Sequence, residues 1–82
     1  MLTLDRISSE IKAARKAKGL SQTELGRRAN VSRAQLDRLE NGRVSDVGFQ
    51  MLLRLLRTLD LDLVLGPQNQ GRPTLNELRR RD

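Results

Sequence analysis

The sequence predicts a mainly α-helical domain of four to five short helices, closed by one C-terminal strand. Three observations carry that expectation. Apolar residues recur at helical spacing through roughly the first sixty residues. Ser or Thr stands at the start of three of these stretches, and Gly or Asn follows their ends. Beyond them, Leu61-Asp62-Leu63-Val64-Leu65 alternates with the period of a strand. A chain of 82 residues has room for one core and not for a second.

The first helix is expected over residues 4–18, with Thr3 as its N-cap. Leu4, Ile7, Ile11 and Ala14 fall on one face, and Gly19 can take the left-handed geometry that ends a helix. The second opens at Ser21, where Ser21-Gln22-Thr23-Glu24 has the spacing of a capping box; it buries Leu25 and Ala29 and stops near Asn30. The third follows Ser32, whose Ser32-Arg33-Ala34-Gln35 repeats the capping box. Its inner face is Leu36 and Leu39, and Asn41-Gly42 closes it. The fourth is expected from residue 46 or 47 to 59, with Phe49, Leu52, Leu53, Leu56 and Leu59 in one stripe. Met51 and Leu55 widen that stripe beyond half the circumference, more than an outer helix needs, and are assigned to contact with a second chain.

A lone strand at residues 61–65 would leave its amides and carbonyls without a ladder, and no other segment reads as a strand. Pairing with the same segment of a second copy, through Leu61, Leu63 and Leu65, resolves this; the alternative is a helix-terminating loop whose leucines pack on the core. Residues 1–65 are therefore expected to form the domain. The composition changes at Gly66-Pro67-Gln68-Asn69-Gln70-Gly71-Arg72-Pro73, which reads as a linker. Thr74-Leu75-Asn76-Glu77 offers another capping box before Arg79-Arg80-Arg81, but an isolated helix this short is marginal in water. Residues 66–82 are expected to be a flexible basic tail.

Charge narrows the partners. Lys and Arg number 16 against 10 Asp and Glu, for a net charge of +6. Up to Ser45 the ratio is ten to five. Such an excess fits nucleic acid, an anionic membrane face or an acidic protein, although a solvated basic surface is the ordinary alternative until a motif supports binding. Cys and His are both absent, which removes disulfides, thiolate chemistry, the commonest general base and the usual transition-metal ligands. With no Gly-rich phosphate loop and no carboxylate pair at acid/base or metal spacing, neither an enzyme nor a metal or cofactor is expected. No apolar run is long enough to cross a bilayer and no hydrophobic signal segment follows Met1, so no membrane partner is expected and the expected location is the cytoplasm.

The motif lies between the second and third helices, which only Asn30, Val31 and the cap Ser32 separate. Gly26 is the small residue where the helices approach and Val31 the apolar anchor, a helix-turn-helix pattern. Arg33, Ala34, Asp37 and Arg38 occupy the outward face of the third helix. Arg33 and Arg38 can each present a planar fork to O6 and N7 of guanine, and Ala34 can touch a thymine methyl. Asp37 can accept from cytosine N4, or equally orient a neighbouring Arg and repel phosphate.

Lys18-Gly19-Leu20-Ser21-Gln22-Thr23-Glu24-Leu25, Val31-Ser32-Arg33 and Leu39-Glu40-Asn41-Gly42-Arg43 resemble, in order and spacing, the phage-repressor/Cro-like (XRE) helix-turn-helix family over roughly the first sixty residues. The resemblance implies a lambda-repressor-like fold that binds double-stranded DNA at specific sequences. It implies phosphate contacts by Gln22, Ser32, Gln35 and Arg43, which fix register without reading sequence. It also implies an ion pair of Arg15 with Glu40, tying the first helix to the end of the third. Gly26 departs from the family, which usually has Ala there; Gly costs a helix interior ~1 kcal/mol relative to Ala, so a slight weakening of the second helix is expected.

A fourth helix leading straight into residues 61–65, followed by Arg72-Pro73-Thr74-Leu75, is similar to HipB-like antitoxins. That similarity implies a homodimer joined through terminal strands, repression of its own operon, and a HipA-type kinase toxin as a further partner. The alternatives are a stand-alone phage-type or restriction-system controller, and a protein-binding scaffold that does not read DNA.

Overall fold

The first amides of a helix have no partner within it, and in this chain three side chains supply one. The computed structural model describes residues 2–67. It contains α1 (Leu4–Ala17), α2 (Gln22–Ala29), α3 (Arg33–Glu40) and α4 (Phe49–Thr58). Thr3 Oγ1 accepts from the Arg6 amide at 3.2 Å. Ser21 and Glu24 bond reciprocally at 3.0 and 3.2 Å, and Ser32 and Gln35 both at 3.1 Å, so both capping boxes close. The bond from the Ser21 backbone amide, with that from its hydroxyl, holds the Glu24 carboxyl below the usual carboxylate range. Asn30, with φ 58°, ends α2 in left-handed backbone, a geometry its short polar side chain tolerates.

The helices bury an aliphatic core. α2 packs on both α3 and α4, and α1 packs on α3. Ile11, Leu25, Leu36, Leu39 and Leu55 are its largest fully buried side chains, and Val31 plugs it from the turn between α2 and α3. Ser8, also buried, carries a hydroxyl with no hydrogen-bond partner among the described residues.

α4 corrects the sequence reading in three respects. It starts at Phe49, because Gly48 stays extended at φ −64° and ψ 133° and favours helix poorly; residues 46 and 47 belong to the preceding loop. Leu55, assigned above to a partner chain, is 0 % exposed. At about 100° per residue, Leu55 extends the arc of Leu52, Leu56 and Leu59 on the side away from Phe49. Phe49, counted into the inner stripe, is accordingly 60 % exposed.

After α4 the chain turns through Asp60, with φ 58°, and the Leu61 amide donates to Leu56 O at 2.8 Å. Leu61 and Leu63 lie partly buried against the core, whereas Leu65 is 86 % exposed. Residues 61–67 form no strand within the single chain. Leu61 and Leu63 thus pack as the loop alternative describes, while the outward Leu65 does not. The greater part of the expected tail, residues 68–82, lies outside the described residues. No helix among the described residues is long and apolar enough to cross a membrane.

Candidate nucleic-acid interface

The position of α3 is set first by the turn that precedes it. The Val31 amide donates to Gly26 O at 2.8 Å, drawing the turn onto the flank of α2. A Cβ at Gly26 would lie 2.4 Å from the Val31 carbonyl oxygen, inside any normal contact. The small residue is therefore a requirement of the close approach, and the expectation of a merely weakened α2 is corrected. On the other side, Arg54 of α4 donates through Nε to Ala29 O at 2.9 Å and through Nη2 to Asn30 O at 3.5 Å, satisfying carbonyls left open at the end of α2. Sequence reasoning passed over Arg54; its one signal was its place, with Arg57, on the polar side of an apolar helix.

With its inner face fixed by Leu36 and Leu39, α3 turns Arg33, Ala34, Gln35 and Arg38 to solvent. Ser32 at its cap and Arg43 beyond its end are exposed as well. Gln35 uses its Oε1 on the Ser32 amide, which leaves its NH2 group for other acceptors. Asp37 departs from the rest of the expected face. It is partly buried, and its Oδ1 accepts from Asn41 Nδ2 at 3.0 Å and from Gln22 Nε2 at 3.4 Å. Its bonded partners are two neutral amides, and no Arg is among them.

Gln22, at the first position of α2, also donates to Glu40 Oε1 at 3.3 Å. Its amide group is thus turned to two carboxylates. Glu40 in turn receives Arg15 in a two-pronged pair, Nε to Oε2 at 2.7 Å and Nη2 to Oε1 at 2.9 Å. Arg15 Nη1 donates to Leu20 O at 2.8 Å. The Glu40 side chain is 1 % exposed and that of Arg15 11 %. The bond to Glu40 holds the Arg15 guanidinium above its ordinary pKa, against the opposing pull of burial. One network, Arg15–Glu40–Gln22–Asp37–Asn41, therefore joins α1, α2 and α3 behind the exposed face.

Farther off, Lys18 Nζ reaches Asp60 Oδ2 at 2.8 Å, and that bond holds the Asp60 carboxyl below its usual range. Among the described residues no cluster of three or more side chains fit to hold a metal occurs.

Two helices locked at a tight, glycine-dependent turn, the second presenting arginines to solvent, define a helix-turn-helix protein. The helix-turn-helix family matches residues 11–65, and the chain belongs to that family, of XRE type. An uncharacterized HTH-type transcriptional regulator, y4dL of Sinorhizobium fredii (strain NBRC 101917 / NGR234), is 33 % identical over 64 residues, 78 % of this chain and 32 % of that protein. The chain therefore spans about a third of that regulator's length. The crystal structure of SinR, a master regulator for biofilm formation, in complex with DNA matches with a TM-score of 0.65 and 32 % identity, covering 68 % of this chain and 89 % of SinR's. A chain of the HipA–HipB–O2–O3 complex matches with a TM-score of 0.74 over 84 % of this chain and 96 % of its own; at 19 % identity the likeness is one of fold. Both y4dL and SinR are described as regulators.

Proposed function

We propose that this chain binds double-stranded DNA at specific sequences as a homodimeric transcriptional repressor. The observation that carries the reading is the exposed face of Arg33, Ala34 and Arg38 on a helix fixed at both ends, in a chain 32 % identical to SinR, which was solved with DNA. Arg33 and Arg38 read guanine edges, and Ala34 meets a thymine methyl. Ser32, Gln35 and Arg43 hold phosphates, helped by the first amides of α2. Two copies of α3 enter successive major grooves about 34–36 Å apart. The work takes place in the cytoplasm, on the nucleoid. Arg33→Ala and Arg38→Ala are each expected to weaken binding to the chain's own promoter by about 1–3 kcal/mol and to relax preference at one base position. Fluorescence anisotropy on promoter and scrambled duplexes checks this: equal losses on both would reassign that Arg to a phosphate, and a native protein without promoter preference would end the sequence-specific reading.

The dimer uses residues 61–65, with Met51 at its margin; Leu55 drops out because it is fully buried. Leu65, 86 % exposed, carries the test, since its loss leaves the core intact. Leu65→Lys is expected to shift sedimentation toward monomer and to weaken promoter binding together. An unchanged sedimentation profile would sink the paired-strand idea.

The finer reading is an antitoxin that also holds a HipA-type kinase toxin. Its support is the sequence of residues 61–65 with Arg72-Pro73-Thr74-Leu75, and a fold shared with a chain of the HipA–HipB–O2–O3 complex. Copurification with a kinase encoded beside the gene is the test. Without such a kinase, the chain returns to the stand-alone phage-type or restriction-system controller.

A further inference from the structure

The NH2 group of Gln22 has two hydrogens, and both face carboxylates: Glu40 Oε1 at 3.3 Å and Asp37 Oδ1 at 3.4 Å. Ionised carboxylates only accept, so the pair dictates which end of the amide turns inward. Neither hydrogen is left for a phosphate. The two acceptors differ in what holds them. Glu40 is locked by Arg15 and its side chain is 1 % exposed. Asp37 is only partly buried, and its Oδ1 is already served by Asn41 at the shorter distance of 3.0 Å. Exchanging Asp37 for another acceptor is therefore the easier of the two changes.

We propose that Asp37 is a positioning residue that acts through Gln22, competing with the DNA backbone for the amide and restraining binding that does not depend on sequence. The inference rests on the DNA-binding reading above. In the free protein Asp37 keeps one Gln22 N–H away from the duplex and adds a negative charge beside it. On DNA, Gln22 keeps Glu40 with one hydrogen and passes the other from Asp37 Oδ1 to a phosphate oxygen, while Asp37 retains Asn41. Such a restraint suits a chain with 16 basic against 10 acidic residues, because phosphate attraction alone supplies most sequence-independent affinity.

A latch and a base reader predict opposite signs. The test measures fluorescence anisotropy of the full chain on two duplexes of equal length, one from its own promoter and one scrambled. Asp37→Ala is expected to tighten both by about fivefold, since a freed hydrogen bond to a charged group is added and a repulsive charge removed. Asp37→Asn, which keeps an acceptor for both amides but loses the charge, should give a smaller gain on both and serves as the comparison if the Ala variant melts early. Gln22→Ala should cost about threefold more in the Asp37→Ala background than in the native chain, a coupling that independent sites would not show. Selective weakening on the promoter duplex would make Asp37 a base reader and overturn the proposal. So would a gain that survives undiminished in the Gln22→Ala background. A native chain that binds neither duplex would defeat the DNA reading itself, whereas native binding with Asp37→Ala unchanged would defeat this inference alone.

Discussion

Arg15→Met is expected to lower unfolding stability by about 3–5 kcal/mol, the loss typical when one member of a buried ion pair is removed. The charge left behind is the reason. The Glu40 side chain is 1 % exposed, and without Arg15 its remaining bonded partner is the Gln22 amide at 3.3 Å. Leu20 O loses its donor in the same step. Small domains hold about 5–15 kcal/mol in total, so a chain at the lower end of that range would be close to unfolded once the ion pair is broken. Denaturant titration followed by circular dichroism measures it. The pair itself need not stabilise the native state by anything like that amount, because desolvating two charges offsets most of their attraction. Arg15→Met combined with Glu40→Leu should therefore recover most of the loss. A single variant within about 1 kcal/mol of the native chain would mean that water or another donor reaches Glu40.

What the sequence made legible follows the range of the interactions. Thr3, Ser21 and Ser32 were readable as caps because a capping bond spans three residues and needs no knowledge of the rest of the fold. The exposed positions Arg33, Ala34 and Arg38 were readable because Leu36 and Leu39 fix the inner face of an eight-residue helix. α4 was harder. Seven of its apolar candidates compete for one inward arc, and only packing against α2 decides that Leu55 lies inside it and Phe49 outside. Three other long-range contacts were out of reach for the same reason, although the Arg15–Glu40 pair was implied by the family resemblance. Arg54 meets Ala29 across 25 residues, Lys18 meets Asp60 across 42, and Gln22 meets Asp37 across 15. Nothing in local composition distinguishes an Asp that faces a base from one that holds an amide.

Gly26 is the position where local and tertiary arguments disagree in sign. Helix propensity alone makes Gly26→Ala a gain of about 1 kcal/mol. The added methyl, however, would start 2.4 Å from the Val31 carbonyl oxygen, with the Val31 carbonyl carbon at 3.5 Å and the Arg33 amide nitrogen at 3.8 Å behind it. These are backbone atoms, which cannot swing aside as the tip of a long side chain can. Val31 is pinned from two directions, by its amide bond to Gly26 O at 2.8 Å and by its own burial in the core. Room for the methyl must come from moving the turn, and the turn carries Ser32 and the first residues of α3. Overpacking costs about 1–3 kcal/mol and falls toward the upper end where backbone must move, so after the propensity gain of about 1 kcal/mol Gly26→Ala should destabilise by up to about 2 kcal/mol and Gly26→Val by more. Because the strain falls at the base of α3, promoter affinity should drop in Gly26→Ala even at temperatures where the variant is fully folded. A melt at or above the native midpoint, with promoter binding unchanged, would show that the turn yields and that Leu36 and Leu39, rather than the backbone at Gly26, seat the helix that carries Arg33 and Arg38.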